Sequence, residues 1–323
     1  MQQKLIHQIP THYEGKRYHA YSTFIQRRYG QRVQKVTVDA GFSCPNRDGT
    51  VAKGGCIYCN NASFNPPYNS ASKSIRQQVQ EGVAFLRRRY DVDKFIVYFQ
   101  PYSNTYAPLE LLKNLYGQAL EIENVVGLTI GTRPDCVDIE KIRFLEDLAK
   151  THDITIEYGL ESMHDSTLRR INRGHNYKIY LDAVYMTTNR NIQVCTHIIL
   201  GFPWENIEHW LQQATTLSSL PIDFLKIHQL HIVKDTVMAV QYRKKPFHVF
   251  SYNEFVETVI SVIERLSPRI ILQRLAGEAA PRILIAPRWE MTYPEVLQGI
   301  ESELARRDTW QGKKYSMSYN KVV

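Results

Sequence analysis

The 323-residue sequence predicts an α/β protein: a partial (β/α)6 barrel with an N-terminal extension and a C-terminal α/β extension. Three observations lead to this prediction. Six short segments are rich in β-branched and aromatic residues, helical apolar patterns lie between them, and Gly, Pro and polar residues follow them. Alternating strands and helices favour parallel strands with right-handed crossovers, and nearly continuous apolar strands favour a sheet covered by helices and closed or half closed into a barrel.

The predicted strands are short and separated by segments long enough for a helix. In chain order they are VQKVTV (33–38), KFIVYF (94–99), VVGLTI (125–130), ITIEYG (154–159), IQVCTHIIL (192–200) and DFLKIHQLHIV (223–233).

Five intervening segments have apolar residues at helical spacing, which predicts that each buries one face. In SIRQQVQEGVAFLRRRY this stripe consists of Ile75, Val79, Val83 and Leu86. The other four are PLELLKNLYGQAL, DIEKIRFLEDLAK, YKIYLDAVYMTTN and ENIEHWLQQATTL.

Turn-forming and polar residues follow the first five strands, in the stretches DAGFSCPNRDG, QPYSNTY, GTRPD, GLES and GFPWE. In folds built on parallel strands, ligands and catalytic groups gather at the carboxyl ends of the strands. We therefore expect the functional site at this edge of the barrel.

The chain is predicted to divide into a basic, aromatic N-terminal extension (1–32), the barrel (33–235) and a C-terminal extension that closes the barrel's open side (236–323). In the last part, YRKKPFHVFSYNEFVETVISVIERL indicates a basic segment and then a helix, and PRIILQRLAGEAAPRILIAPRW a strand and a loop. We interpret most of this region as structural, with residues that pack against the barrel. Arg243, Lys244 and Lys245 could extend a basic surface.

The bulk composition indicates a globular protein of the cytoplasm. A hydrophobic content of 43% supports a sizeable core, no apolar run approaches the roughly 20 residues needed to cross a bilayer, and the N-terminus lacks a secretory signal pattern. Cytoplasmic thiols stay reduced. Five cysteines, three of them clustered, therefore indicate metal or redox chemistry rather than disulfides.

The charge balance favours a polyanionic partner. Lys and Arg number 40 against 32 Asp and Glu, a net charge of +8, and residues 1–40 interleave cations with aromatic residues. Lys16, Arg17, Arg27 and Arg28 are candidate RNA-binding residues. The alternative is a helix that docks its aromatic residues on the protein body and leaves a solvated basic face.

Three cysteines lie in CPNRDGTVAKGGCIYC, residues 44–59: Cys44, Cys56 and Cys59. Structural zinc usually takes four protein ligands, so zinc would need a distant fourth ligand such as His175 or His197. A [4Fe-4S] cluster can be held by three thiolates when its fourth iron binds an exogenous ligand.

These motifs resemble the radical S-adenosylmethionine (SAM) superfamily, whose signature is three cysteines ending in C-x-aromatic-C after the first barrel strand. CIYC fits that ending, and the long first spacing is typical of the branch of the Elongator catalytic subunit. GLTIGTRPD (127–135), EYGLESMHDSTLRRINRGH (157–175) and HIILGFPWE (197–205) resemble the same branch, and DAGFSCPNRDGT and GGCIYCNN are similar to its bacterial YtqA/YhcC type. The resemblance covers residues 33 to about 233 and implies the partial barrel of the radical SAM type.

The resemblance also implies roles for individual residues. Cys44, Cys56 and Cys59 would hold the [4Fe-4S] cluster. The residues that would contact SAM are Tyr58 at the adenine, Ser103 and Asn104 at the amino group, Glu161 and Thr132 at the ribose, Arg173 at the carboxylate, and His197 and Ile199 along the adenosine. Relatives often carry Glu at the position of Gly131, so ribose binding would depend more on Glu161 and Thr132.

The activity implied is reductive cleavage of SAM at the cluster, which yields methionine and a 5′-deoxyadenosyl radical that abstracts hydrogen from a substrate. Its implied partners are a tRNA substrate modified on the C5 side chain of the wobble uridine, a flavodoxin- or ferredoxin-type electron donor, and a downstream methyltransferase. We expect no membrane partner and no acetyltransferase domain. Two other interpretations stay open: a radical SAM enzyme acting on a small metabolite or peptide, and a zinc-stabilised RNA-binding module without turnover.

Overall fold

The structure is a computed structural model that describes residues 8–60 and 68–316, so residues 1–7 of the predicted N-terminal extension lie outside it. The strands are β1 (Val33–Val38), β2 (Lys94–Phe99), β3 (Val125–Thr132), β4 (Asp153–Glu161), β5 (Gln193–Leu200), β6 (Phe224–Gln229), β7 (Ile232–Val233), β8 (Ile271–Arg274) and β9 (Leu284–Ala286). The helices are α1 (Tyr21–Tyr29), α2 (Pro45–Asp48), α3 (Ile75–Arg87), α4 (Leu109–Leu120), α5 (Ile139–Leu148), α6 (Asp165–Arg170), α7 (Tyr177–Thr187), α8 (Ile207–Ser219), α9 (Val237–Lys244), α10 (Tyr252–Ile263) and α11 (Tyr293–Arg306). Within the described ranges, none of these helices has the length and apolar content needed to cross a bilayer.

Seven strands form one parallel sheet in the order β1-β2-β3-β4-β5-β6-β8. The sheet curls into a partial barrel with helices packed on it, which confirms the predicted fold class. The seventh strand, β8, comes from the C-terminal part of the chain and pairs with β6. Residues 223–233, predicted as a single strand, divide into β6 and β7 because β7 pairs antiparallel with β9 instead of extending β6.

The hydrophobic core lies between the outer face of the sheet and the helices. Alternate strand residues such as Val97, Leu128 and Ile156 are fully buried there, and the predicted stripe of α3, from Ile75 to Leu86, packs into the same core. The crossover helices α3, α5, α7 and α8 each begin at a side-chain cap, provided by Ser74, Asp138, Asn176 and Asn206. These short polar residues therefore mark the points at which the chain passes from a loop into a helix.

The other alternate positions of the strands face the inside of the barrel, and several of them are charged or polar. Glu157 lies beside Cys195 in the register of β4 and β5, and His197 lies beside Lys226 in the register of β5 and β6. Burying such groups is costly unless they pair with one another. The inside of the barrel is therefore where function should be sought.

Helix α1 runs across the amino-terminal edge of the sheet. Its aromatic residues Tyr21 and Phe24 pack edge-on against Phe224 at the start of β6. Its last turn places Arg28 in an ion pair with Asp153 at the start of β4. The aromatic residues of the basic N-terminal segment thus dock on the barrel.

Candidate active site

A cavity of about 610 Å³ opens at the carboxyl-terminal edge of the sheet. Ten of the residues predicted from the sequence line it: Cys44, Cys56, Tyr58, Cys59, Ser103, Thr132, Glu161, Arg173, His197 and Ile199. Asn104 lies behind the wall, where its side-chain Nδ2 donates to the carbonyl oxygens of Pro101 (3.0 Å) and Gly131 (2.8 Å). The fold therefore brings the three cysteines and most of the predicted SAM contacts to one cavity.

The three cysteines lie on one compact loop. Cys44 is the residue before α2, a single helical turn. After that turn the chain folds back, so that the Gly55 amide donates to the Asn46 carbonyl (2.8 Å) and Arg47 Nη2 donates to the Cys59 carbonyl (2.9 Å). These bonds hold sulfurs that are separated in sequence against the same cavity.

This cysteine loop docks on the turn that follows α6. The Ile57 amide donates to the Ile171 carbonyl (3.0 Å), and Asn46 Nδ2 donates to the Asn172 carbonyl (2.5 Å). Gly174 has a φ of 80°, and a Cβ there would lie only 2.5 Å from Asn46 Oδ1. The glycine of the NRGH stretch is therefore required by both backbone conformation and close packing.

Two nitrogen donors approach one of the sulfurs. Asn46 Nδ2 and Arg173 Nη1 each lie 3.5 Å from Cys56 Sγ. Donors in this position can hydrogen-bond to a sulfur that binds a metal. Three thiols on one loop fit a [4Fe-4S] cluster held by three protein ligands.

Zinc fits this arrangement less well. His175 Nε2 accepts a hydrogen bond from Arg173 Nε (3.0 Å), and His197 Nε2 lies 2.9 Å from the Glu157 carboxylate, so both histidines considered as a fourth ligand are engaged elsewhere. Among the described residues, the set of metal-binding side chains whose donor atoms all lie within 4.8 Å of one another is Glu157, Cys195 and His197, not the three cysteines. Sulfurs around one tetrahedral zinc would lie roughly 4 Å apart.

Arg173 connects the cysteine loop with the predicted SAM site. Its Nη2 donates to the Gly159 carbonyl and lies 3.5 Å from Glu161 Oε1. A Cβ on Gly159 would lie 2.5 Å from Arg173 Nη2, so this glycine makes room for the guanidinium. Burial alone would lower the pKa of Arg173, but nearby Cys56, Tyr58 and Glu161 raise it well above its ordinary value. Arg173 is therefore a buried cation that lies beside the cysteine loop, and the Glu161 carboxylate lies next to it.

The QPYSNTY turn after β2 is tied to the end of β3. Ser103 Oγ accepts a hydrogen bond from the Arg133 amide (3.2 Å), and the hydroxyl oxygens of Thr105 and Thr132 lie 2.6 Å apart. Ser103 and Thr132, both predicted as SAM contacts, therefore also hold two strand ends together.

One wall of the cavity is apolar. Tyr58 packs edge-on against Phe202, with ring centroids 6.2 Å apart, and Ile199 belongs to the same hydrophobic cluster. Burial raises the pKa of Tyr58 well above its ordinary value, so the phenol stays neutral. A flat apolar wall of this kind suits a nucleobase.

The deeper part of the cavity contains a charged cluster, of which only His197 was predicted from the sequence as a site residue. We call it the Glu157 cluster: Lys35, Tyr98, Glu157, His197 and Lys226. The Glu157 carboxylate, 1% exposed, accepts from Tyr98 Oη (2.6 Å), His197 Nε2 (2.9 Å), Lys226 Nζ (2.6 Å) and Lys35 Nζ (3.2 Å). Burial alone would raise the pKa of Glu157, but Lys226 and Lys35 lower it well below its ordinary value. Burial lowers the pKa of Lys226 to about 8.

A period-two pattern could have revealed this cluster. In DFLKIHQLHIV, Lys226 and His228 occupy alternate positions of a strand that is otherwise largely apolar, and alternate positions face the interior of a barrel. His228 lines the cavity, and its buried Nε2 has no hydrogen-bond partner in the described structure. A polar atom in this position is available to a bound ligand.

Comparison with known proteins identifies the family. Residues 47–215, more than half of the chain, match the family model described as Radical SAM superfamily, and residues 222–306 match the Radical_SAM C-terminal domain. The chain belongs to the radical SAM superfamily. This radical SAM protein is 35% identical to the uncharacterized protein YtqA of Bacillus subtilis over 298 residues, which are 92% of each chain. It is 36% identical to Protein YhcC of Escherichia coli K12 over 266 residues, 82% of this chain and 85% of that protein.

The likeness to the Elongator branch is more distant. Elongator complex protein 3 of Homo sapiens is 24% identical over 147 residues, which are 44% of this radical SAM protein and 26% of the human protein. The structure of Elp3 from the archaeon Methanocaldococcus infernus superposes with a TM-score of 0.66 at 14% identity, covering 86% of this chain and 64% of that one. At that identity the structural likeness concerns the fold. Together these matches confirm the predicted family and branch.

Membership of the radical SAM superfamily establishes the cofactors, a [4Fe-4S] cluster and SAM. The cysteine loop provides three thiols for the cluster, and the cavity beside it has room for SAM. The roles of the individual residues stay predictions.

The four candidate RNA-binding residues lie outside this cavity, and each has a carboxylate partner within the chain. Lys16 Nζ lies 2.6 Å from Glu301, Arg17 Nη1 lies 3.0 Å from Asp308, Arg27 pairs with Glu14, and Arg28 pairs with Asp153. Their charges are therefore at least partly compensated in the protein itself. Their contact with RNA stays a prediction.

Replacing Arg173 by alanine is expected to weaken SAM binding by roughly 10- to 100-fold, because a charge-assisted hydrogen bond to a carboxylate contributes about 1.5–3 kcal/mol. The cluster should be retained, since the variant keeps all three thiols. Calorimetric titration of the anaerobically reconstituted protein with SAM, together with its iron content, measures both effects. Arg190→Ala, which removes an arginine paired with Glu146 outside the cavity, is the control. Unchanged SAM affinity in Arg173→Ala would remove the assigned role.

Proposed function

We propose that this radical SAM protein modifies the C5 side chain of the wobble uridine of tRNA. The resemblance of residues 33 to about 233 to the Elongator branch supports this, as does the fold shared with archaeal Elp3. The observation that carries the proposal is the cavity, which has the cysteine loop on one side and the Glu157 cluster on the other. Its volume of about 610 Å³ lies within the range of pockets for ligands of nucleoside size.

The residues of the cavity have distinct proposed tasks. When bound, the cluster and SAM would supply a carbon radical able to remove a hydrogen atom from the substrate. The three thiols of Cys44, Cys56 and Cys59 hold the cluster. The Arg173 guanidinium donates two hydrogen bonds to the SAM carboxylate, and the Glu161 carboxylate accepts hydrogen bonds from the ribose hydroxyls. The Tyr58 ring lies against the adenine. The apolar wall and the buried polar chamber exclude water from the reacting groups.

The Glu157 cluster faces the part of the cavity left for the substrate. Glu157 holds the ammonium groups of Lys35 and Lys226 in place, and His228 offers an unpartnered ring nitrogen. These preorganised groups would orient a polar C5 substituent toward the cysteine loop.

The proposal includes partners and a location. Reduction of the cluster calls for a flavodoxin- or ferredoxin-type donor, and a methyltransferase would act on the product. A cytoplasmic location belongs to the same proposal, because the three thiols stay reduced there.

A second candidate is a radical SAM enzyme that acts on a small metabolite or peptide. The observation that favours it is the pairing of all four candidate RNA-binding cations with carboxylates of the same chain. The third interpretation, a zinc-stabilised module without turnover, is disfavoured by the family assignment.

Mass spectrometry of tRNA nucleosides from a strain lacking this gene distinguishes the two candidates. We expect a wobble-uridine derivative to disappear and its precursor to accumulate. A plasmid-borne wild-type gene should restore the derivative, and the Cys44→Ala variant should not. An unchanged nucleoside profile would contradict the tRNA proposal and leave the small-molecule candidate.

A further inference from the structure

Two groups of surface cations on this protein differ in their ion pairs. Lys16, Arg17, Arg27 and Arg28 pair with carboxylates, as described above. A second group is exposed and has no ion pair with a carboxylate in the described part of the chain: Lys53, Arg169, Arg170, Lys234, Arg243, Lys244 and Lys245. We call this second group the basic rim.

The basic rim surrounds the cysteine loop. Lys53 belongs to the loop itself, and its carbonyl accepts from Asn172 Nδ2 (3.3 Å). Arg169 and Arg170 end helix α6, directly before Ile171, whose carbonyl accepts from the loop at Ile57. Three of the seven cations are therefore held next to the mouth of the cavity by contacts that also position the cysteines.

The other four cations lie on the segment that flanks the opposite end of the loop. The Lys234 carbonyl accepts from Asn60 Nδ2 (2.9 Å), and the Met238 amide at the start of α9 donates to the Ile57 carbonyl (2.8 Å). Helix α9 continues the chain from this contact and ends in the run from Arg243 to Lys245. The rim thus continues from the cysteine loop along α9.

Acidic side chains do not offset this charge. The segments 44–60, 165–174 and 234–245 contain only Asp48, Asp165 and Asp235 as carboxylates. Two of these three accept hydrogen bonds locally, Asp48 from Thr50 and Asp165 from the Tyr177 amide. These three segments together carry nine Lys and Arg against three Asp, so they have an excess of positive charge.

We propose that the basic rim binds the phosphate backbone of the tRNA whose nucleotide enters the cavity. This inference rests on the proposed function and assigns it a binding surface different from the N-terminal segment. Cations without protein partners can neutralise phosphates and release their counterions, which is the main source of affinity for nucleic acid. Such contacts position the backbone and leave recognition of the base to the cavity.

The composition of the rim favours RNA over a protein partner. Four of its seven cations are lysines, and lysine is depleted in protein–protein interfaces, whereas lysine and arginine both serve as phosphate contacts. Arg170 also lies over the indole of Trp204, 5.4 Å from the ring centroid, so the rim includes an aromatic face. Cations next to aromatic rings are typical of surfaces that bind single-stranded or looped RNA.

The test is binding of unmodified tRNA transcript with uridine at the wobble position, measured by filter binding between about 50 and 200 mM salt. We expect the combined variant Arg169→Gln/Arg170→Gln/Lys244→Gln/Lys245→Gln to bind at least ~10-fold more weakly and to reduce the slope of log affinity against log salt by roughly 3. Arg169→Gln/Arg170→Gln alone should lose part of this affinity. Iron content and melting temperature of each variant report whether it is folded.

The matched control is Arg88→Gln/Arg89→Gln. Like Arg169→Gln/Arg170→Gln, this variant removes two positive charges from adjacent exposed arginines that have no carboxylate partner among the described residues. Unlike the rim residues, Arg88 and Arg89 precede β2, at the amino-terminal edge of the sheet. We expect tRNA affinity within about twofold of the wild type. An equal loss in this control and in Arg169→Gln/Arg170→Gln would show that net charge alone matters, which would overturn the rim assignment.

The remaining outcomes separate this inference from the proposed function. If the wild type binds tRNA and the combined rim variant binds it equally well, the rim assignment is wrong while a tRNA substrate stands. If the wild type does not bind tRNA, the proposed function fails and the inference fails with it. If the rim variants bind tRNA normally but accept electrons more slowly from reduced flavodoxin, the rim is a protein-docking surface instead.

Discussion

Replacing Cys44, Cys56 or Cys59 by alanine is expected to remove the cluster from the protein. Anaerobically reconstituted wild type should contain about four irons per chain, and each of the three variants close to none. Reductive cleavage of SAM should then fall to background, a loss of at least ~10³-fold, because the cluster would be the group that passes the donor's electron to SAM. Iron and sulfide analysis and quantification of 5′-deoxyadenosine measure these effects.

The two remaining cysteines provide the control for this experiment. Cys136 lies in the turn after β3, where burial raises its pKa to about 12, and Cys195 lies inside β5 with its Sγ 3.3 Å from Gln273 Oε1. Alanine at either position should leave the iron content unchanged. Equal iron content in all five variants would show that the cysteine loop is not the ligand set.

Replacing Glu157 by alanine is expected to destabilise the protein by about 3–5 kcal/mol, because it leaves the buried ammonium of Lys226 without its counter-charge. Lys35 and His197 would lose the same partner. Chemical unfolding of the variant, followed by circular dichroism under anaerobic conditions, measures the change in free energy. The size of this effect depends on burial rather than on the number of ion pairs.

Two further variants test that explanation. Glu146→Ala removes the carboxylate of a partly exposed pair with Arg190 and should cost no more than about 1 kcal/mol. The double variant Glu157→Leu/Lys226→Met removes both buried charges and should recover a large part of the lost stability. A Glu157→Ala variant as stable as Glu146→Ala would show that water reaches the Glu157 cluster and compensates the charge.

Much of the fold follows from local patterns. The strands β1 to β5 and the helices α3, α4, α5, α7 and α8 occupy the predicted segments, because the period of apolar residues and the turn residues between them are local properties of the chain. The division of residues 223–233 and the position of β8 were not predictable in this way. Both depend on which distant strand each segment pairs with, β9 in one case and β6 in the other.

The candidate site likewise has features that local sequence predicts and features that it does not. The motifs at the strand ends and the family resemblance that they carry named ten of the residues that line the cavity, and parallel strands bring these loops to one edge. Asn104 shares the same motif but turns toward the backbone of Pro101 and Gly131. Which way a polar side chain in a turn points is decided by the neighbouring strand end, and the sequence of the turn does not contain that information.

By itself, the sequence determined the family and the order of the strands β1 to β5, and it predicted the three thiols that would hold the cluster, because all of these depend on motifs and spacings that are local in the chain. Only the tertiary structure decided which charges meet. It brings Lys35, Glu157 and Lys226 together inside the barrel, and it pairs Arg28 with Asp153 while leaving Arg169 and Arg170 unpaired at the mouth. The physical reason is that an ion pair depends on distance in space, and the curled sheet makes neighbours of residues that the sequence keeps far apart.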